Sequence, residues 1–371
     1  MFLNYVTLQV SHAWAHRSNI VAYVAGDNSM AANTGQIGPD DEWLEKLDEP
    51  VLEPGIPVVD PHHHLWLRAG YSYLIPELAA DISSGHKIVA TVFAECHSMY
   101  RQDGPEEERA LGETEFVTGQ AAMSASGEFG PTRACQVMFG NVDMTLGNSV
   151  EPLLEKHITS SGGRFRGVRY STGWDAHEKI RNVASDAGLL VDRRTKDAAA
   201  VLARMGLELD SWLYHPQLDE VAELADATPE LTIVLNHVGT PILGGPYRGK
   251  RDEVFKDWRE KILRVGEREN VFVKLGALPI RMPDYEGDRS LPPGSEEVAA
   301  AWRPWIETCI EAFTPARSMF ESNFPVQKRW CSYQVCWNAF KRIAADYSEQ
   351  EKINLFAGAA ARAYRISGLS A

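Results

Sequence analysis

What this sequence lacks narrows it first. Lysine and arginine number 37 against 51 aspartates and glutamates, a formal net charge of −14. That shortage of positive charge argues against nucleic acid, and against an anionic membrane surface, as the partner. No apolar run approaches the ~20 residues needed to cross a bilayer. Residues 1–29 carry no basic segment ahead of a clean apolar core, so a secretory signal is not expected there. The five cysteines (Cys96, Cys135, Cys309, Cys331 and Cys336) are odd in number and form no Cys-x-x-Cys pair. Neither a disulfide framework nor a thiolate zinc site is indicated, and buried thiols in a reducing, cytoplasmic setting are expected. A glycine-rich G-x-G-x-x-G turn is missing as well, which removes the doubly wound dinucleotide-binding reading. A small-molecule substrate remains as the partner, and a homo-oligomer stays open.

What is present is an ordinary core-forming composition, 44% hydrophobic and 24% charged over 371 residues, enough to bury a large interior. The most informative stretch is Ile56-Pro-Val-Val-Asp-Pro-His-His-His-Leu-Trp66. Its apolar run reads as a short buried strand whose tip carries imidazoles. Alternation along a strand places His62 and His64 on one side and His63 on the other. Seven further strand-like runs follow: 87–95, 135–142, 164–170, 207–215, 231–237, 271–275 and 319–324. Helix-like stretches separate them, at 106–124, 149–158, 195–205, 218–227, 252–268 and 296–313, with a helical region from Tyr333 onward. Strands joined through crossover helices pair in parallel. Eight such units predict a closed (β/α)8 TIM barrel over residues 56–371. Residues 1–55 form a partly flexible N-terminal extension, of which 1–29 are expected to be dispensable. Asp40 to Leu44 could make a short helix against the body.

Chemistry in such barrels gathers at the C-terminal ends of the strands. The polar residues predicted there are His62, His64, Glu95, Arg169, His215, His237, Lys274 and Asn323. A single one of these histidines would ordinarily be a hydrogen-bonded structural residue; four on three strand tips mark a functional site. Parity turns only one of Arg166 and Arg169 inward, and Arg169 is favoured. The loop Gly244–Arg248 with Tyr247 reads as a rim element over the pocket.

The motifs VVDPHHH, YHPQL (214–218), VLNHVGTP, VKLGAL and SMFESNFPV resemble the amidohydrolase-related branch of the amidohydrolase superfamily. That branch includes 2-pyrone-4,6-dicarboxylate lactonase and sugar-acid lactonases, and the likeness runs from Ile56 almost to the end of the chain. The resemblance implies a barrel hydrolase in which His62, His64, His215 and His237 match histidines that can ligate one or two divalent metals. Two departures stand out. The fourth strand ends in arginines where binuclear members carry a carboxylated lysine, and Asn323 stands where the pattern has a catalytic Asp.

Two chemistries follow for a hydrolase opening a lactone, or similar cyclic ester, of a small carboxylated molecule. In one, His62, His64 and His215 hold a single divalent metal, zinc by choice, with an open position for water, and His237 shuttles the proton. In the other no metal is needed: imidazoles and cations polarise the carbonyl. Arg169 holds a substrate carboxylate, with Tyr247 and His63 as further substrate-binding candidates. Glu95, Lys274 and Asn323 complete the catalytic candidates, Lys274 either as an electrophile or as the partner of Glu95. A metal-dependent nonoxidative decarboxylase and a ligand-binding barrel without turnover are the alternatives.

Overall fold

The computed structural model describes residues 38–68, 70–280 and 288–368; the expectation for residues 1–29 falls outside them. Eight parallel strands form one sheet in chain order: β1 (Pro57–His63), β4 (Lys87–Ala94), β5 (Arg133–Gly140), β6 (Phe165–Ser171), β7 (Glu208–Trp212), β8 (Ile233–Leu235), β9 (Val271–Leu275) and β10 (Ser318–Phe320). A hairpin of β2 (Trp66–Arg68) and β3 (Tyr71–Tyr73) stands apart from it. The ring closes just beyond β10: His63 bridges Phe324 in parallel, the His64 amide donates to the Phe324 carbonyl at 2.8 Å, and the Asn323 amide donates to the His62 carbonyl at 2.9 Å. The (β/α)8 barrel is therefore the architecture, with helices such as Leu111–Ala125, Arg251–Gly266 and Ser295–Phe313 around it.

Two packing layers follow from strand alternation. Val58, Met138, Ile233, Leu235 and Phe320 belong to the outer layer under the helices, while Val59, Val137, Phe139, Val234 and Met319 share an inner cluster with Ala357–Tyr364. A register shift between Asp60 and His63 breaks this count on β1. The extra residue re-aims the tip, so that Asp60 faces the surrounding helices and His62 the interior. Gly167 is required for another reason: a Cβ there would lie 1.9 Å from the Glu208 carbonyl oxygen, so only glycine lets β6 approach β7 two residues before Arg169.

The predicted helix at 40–44 forms as Asp41–Leu44, capped by the Asp40 side chain on the Trp43 amide. It is fastened to the body: Trp43 Nε1 donates to the Arg289 carbonyl at 3.1 Å, and Lys328 lies 3.2 Å from Asp41. No helix among the described residues is long and apolar enough to cross a membrane.

Candidate active site

Asp60 organises the seam from behind. Fully buried, its carboxylate accepts from the Ser322 amide (3.0 Å), the Ser322 hydroxyl (2.5 Å) and the Tyr333 hydroxyl (3.0 Å). These bonds fix the first strand tip against the turn after the last one. Burial pushes its carboxyl up to about 6, against the pull of those donors.

On the inner side, His62 Nε2 and His64 Nε2 lie 3.3 Å apart. His64 Nδ1 is 2.8 Å from the Ala94 carbonyl. A carbonyl can only accept, so His64 carries its proton on Nδ1 and presents a lone pair at Nε2. His237 follows β8 with φ +56, in the left-handed region that non-glycine residues rarely occupy, a strain typical of functional positions. Its Nδ1 is 2.6 Å from Glu321 Oε1, and its amide donates to the same oxygen at 3.2 Å. The Nδ1 proton therefore faces the carboxylate, and Nε2 is left with the lone pair of a base. Burial lowers the affinity of His62, His64 and His237 for a second proton; Lys274 adds to this at His62 and Arg169 at His64, while Glu321 pulls the other way at His237. Three neutral imidazoles are the result, as ligands or bases require.

Glu321 is the residue that the sequence reading passes over. It follows β10 directly, is fully buried, and reaches His237 through Oε1 and His62 Nδ1 through Oε2, the latter at 3.3 Å. Gly276, just past β9, makes room for it: a Cβ there would sit 2.7 Å from Glu321 Cγ. His62, His237 and Glu321 offer ligand atoms that all lie within 4.8 Å of one another. Asn323, two residues on with φ +53, is fully buried, and neither the nitrogen nor the oxygen of its side-chain amide has a hydrogen-bond partner among the described residues.

The charged residues form a continuous interior chain. Lys274 pairs with Asp210 at 2.5 Å, not with Glu95. Asp210 also accepts from Tyr364 (2.9 Å) and from the Asn236 amide (3.3 Å), whose oxygen accepts from Arg169 Nε (2.9 Å). Arg169 Nη1 then reaches Glu95 at 3.1 Å. Arg169 thus faces inward, whereas Arg166 is spent on backbone carbonyls of Phe165, Gly163 and Tyr364.

Three further expected site residues have other neighbours. His215 lies beyond the end of β7 in a turn; its Nδ1 accepts from the Ile242 amide at 3.2 Å, and Nε2 is 4.0 Å from Asp257. The close-lying group of His62, His237 and Glu321 thus differs from the expected His62–His64–His215 triad. His63 is on the outer side of its strand, 2.8 Å from the Thr91 hydroxyl. Tyr247 packs on the rim beside His215 and donates to Asp175 at 2.7 Å.

Behind Glu95, buried Glu113 accepts from the Cys96 and Ser98 amides (3.0 and 2.8 Å). Burial, then the like charge of Glu95, push its carboxyl up to about 8. The folded protein keeps this proton over a range, from about 4.5 to about 8, where the unfolded chain has released it, so this group's contribution to stability falls as pH rises through that window. Glu113→Gln removes the titration. Thermal melts at pH 5, 6.5 and 8 should show a shallower decline for the variant, by a few kcal/mol at most; parallel declines would refute the assignment.

Comparison with known proteins fits this geometry. The family model described as amidohydrolase matches residues 59–366, and the chain belongs to that family. A curated relative from Sinorhizobium fredii, an uncharacterized protein called y4mH, is 28% identical over 84% of this chain and 99% of its own. An L-rhamnono-gamma-lactonase from Scheffersomyces stipitis is 24% identical over 63% of this chain and 70% of its own. Among solved structures, an amidohydrolase from Burkholderia multivorans, seen with bound zinc in one crystal form, superposes with a TM-score of 0.63 at 21% identity, covering 83% of this chain and 99% of its own.

Proposed function

We propose that this enzyme hydrolyses a lactone of a small, carboxylated or hydroxylated acid, with His237 as general base. The observation that carries the reading is the 2.6 Å contact between His237 Nδ1 and Glu321 Oε1. It fixes the tautomer and steadies the imidazolium that forms when Nε2 takes a proton. Water adds to the acyl carbon as its proton passes to His237. The ring C–O bond then breaks, and the departing alkoxide recovers that proton, leaving a hydroxy acid and a neutral imidazole. Asn323 supports the reading because its orphaned buried side-chain amide can donate to a developing oxyanion, a role that an ionised aspartate could not fill.

The residues also fit a divalent cation. His64 Nε2 is a fixed lone pair, His62 Nε2 is a chelate distance away, and Glu321 Oε2 is buried without a hydrogen bond among the described residues. His64, Glu321 and His62, the last once its Nε2 carries no proton, would hold such an ion, with neutral nitrogens suiting zinc, and His237 Nε2 stays free as the base. Bound there, it would supply Lewis-acid polarisation of the acyl oxygen or of water. The L-rhamnono-gamma-lactonase likeness supports the lactone class.

The test is a pH-indicator screen of sugar-acid and pyrone lactones, in which ring opening releases acid. Arg169 Nε and Nη1 are engaged by Asn236 and Glu95, and we read Nη2 as the contact for a substrate carboxylate. Arg169→Lys should therefore raise KM about tenfold or more on an anionic lactone, because the planar fork is lost, while kcat moves less. Release of CO2 from an aromatic acid, with no lactone opened, would overturn the reading in favour of a decarboxylase.

A further inference from the structure

His62 Nδ1 has two claimants. Lys274 Nζ lies 3.1 Å away and Glu321 Oε2 3.3 Å away. An ammonium has only protons to give, and a carboxylate can only receive them. Facing Lys274, Nδ1 must be a lone pair, so the imidazole proton sits on Nε2, directed at the fixed lone pair of His64 Nε2 at 3.3 Å. Facing Glu321, Nδ1 must carry the proton, and Nε2 becomes a second lone pair beside that of His64. The two arrangements exclude each other at constant charge. Each leaves one buried group short: the first strands Glu321 Oε2, which indeed has no hydrogen bond among the described residues, and the second strands an ammonium proton of Lys274.

We propose that Lys274 is a positioning residue that sets the tautomer of His62, holding the His62–His64 pair as a proton-sharing couple and keeping it from chelating a divalent cation. The Lys274–Asp210 pair is the control element. Asp210 pins the ammonium at 2.5 Å and is itself held by Tyr364 and Asn236, so Lys274 cannot swing away without stranding a buried carboxylate. Ring contacts hold the lysine on its other sides, with Tyr364 at 5.4 Å and Phe139 at 6.0 Å. Only when the lysine's claim is removed can His62 turn its Nδ1 proton to Glu321 and free both Nε2 lone pairs. The inference concerns the interior of the site and holds whichever ester the enzyme opens.

The test reads tautomer and metal affinity, not turnover. In full-length protein freed of metal by chelation, histidine 15N NMR should show His62 protonated on Nε2; a proton on Nδ1 would overturn the proposal. Removing the lysine alone strands Asp210, so the informative variant is the Lys274→Met/Asp210→Asn pair. It should bind Co2+, followed through its visible absorption, at least tenfold more tightly than wild type, while Lys274→Arg, which keeps the charge, should gain nothing. A folded double variant whose affinity is unchanged or weaker refutes the role. If that variant does not fold, the wild-type 15N measurement decides alone. A failed lactone screen would leave these readouts untouched.

Discussion

Glu321→Gln should lower kcat by roughly 10²–10⁴, the usual worth of positioned acid–base catalysis, with little change in fold. Glutamine keeps the shape that Gly276 accommodates and can still accept from the His237 amide. It loses the negative charge that steadies the imidazolium, and in the flipped amide its NH2 group, in place of that acceptor, faces His237 Nδ1 and drives the proton to Nε2, destroying the base. Steady-state kinetics on the lactone identified by the screen, alongside circular dichroism, measure this. A change of less than about threefold in kcat would remove the Glu321–His237 pair from the machinery. His237→Ala should fall to a similar level, and the double variant scarcely further, since residues acting as a unit are not additive.

The second large effect is on stability. Asp60→Ala would leave the Ser322 amide and the Tyr333 hydroxyl without their acceptor, and the Ser322 hydroxyl with only the more distant His62 carbonyl at 3.4 Å. An unsatisfied buried donor costs ~1–3 kcal/mol; allowing for relaxation, the loss should be about 4 kcal/mol, a large share of a typical domain's stability. Urea unfolding measures it. Asp60→Asn, which keeps one acceptor oxygen, should lose less than half as much. Equal midpoints for wild type and Asp60→Ala would show that the seam does not depend on this carboxylate.

The barrel was legible because its signals are local: Val271–Leu275 and Leu218–Ala227 appear with the bounds that their patterns suggest, and each remaining barrel strand overlaps the run that announced it. His62, His64, His237 and Arg169 were legible as inward tips. Glu321 was not, because matching the last motif by its pattern draws attention to position 323, whereas the carboxylate enters at 321. The turn at Asn323 and the bulge at Asp60 both break simple alternation. His215 lies past the end of β7 at Trp212, in a turn where its Nδ1 accepts from the Ile242 amide. The partner of Lys274 could not be read either, since which of several buried acids it meets depends on the curvature of the closed ring.

The closure of that ring has a kinetic meaning. Ser322 and Asp60 are 262 residues apart along the chain, Lys274 and His62 212 apart. Contacts of such long range form only after the intervening units have condensed, because each must first overcome the entropy of a very large loop. The candidate site straddles the last joint to be made, so catalytic competence should appear after helix content during refolding. A fragment ending before Ser318 would retain His62, His64, His237 and Lys274 but have nothing to complete them, and turnover is the stricter witness that the whole circle has formed.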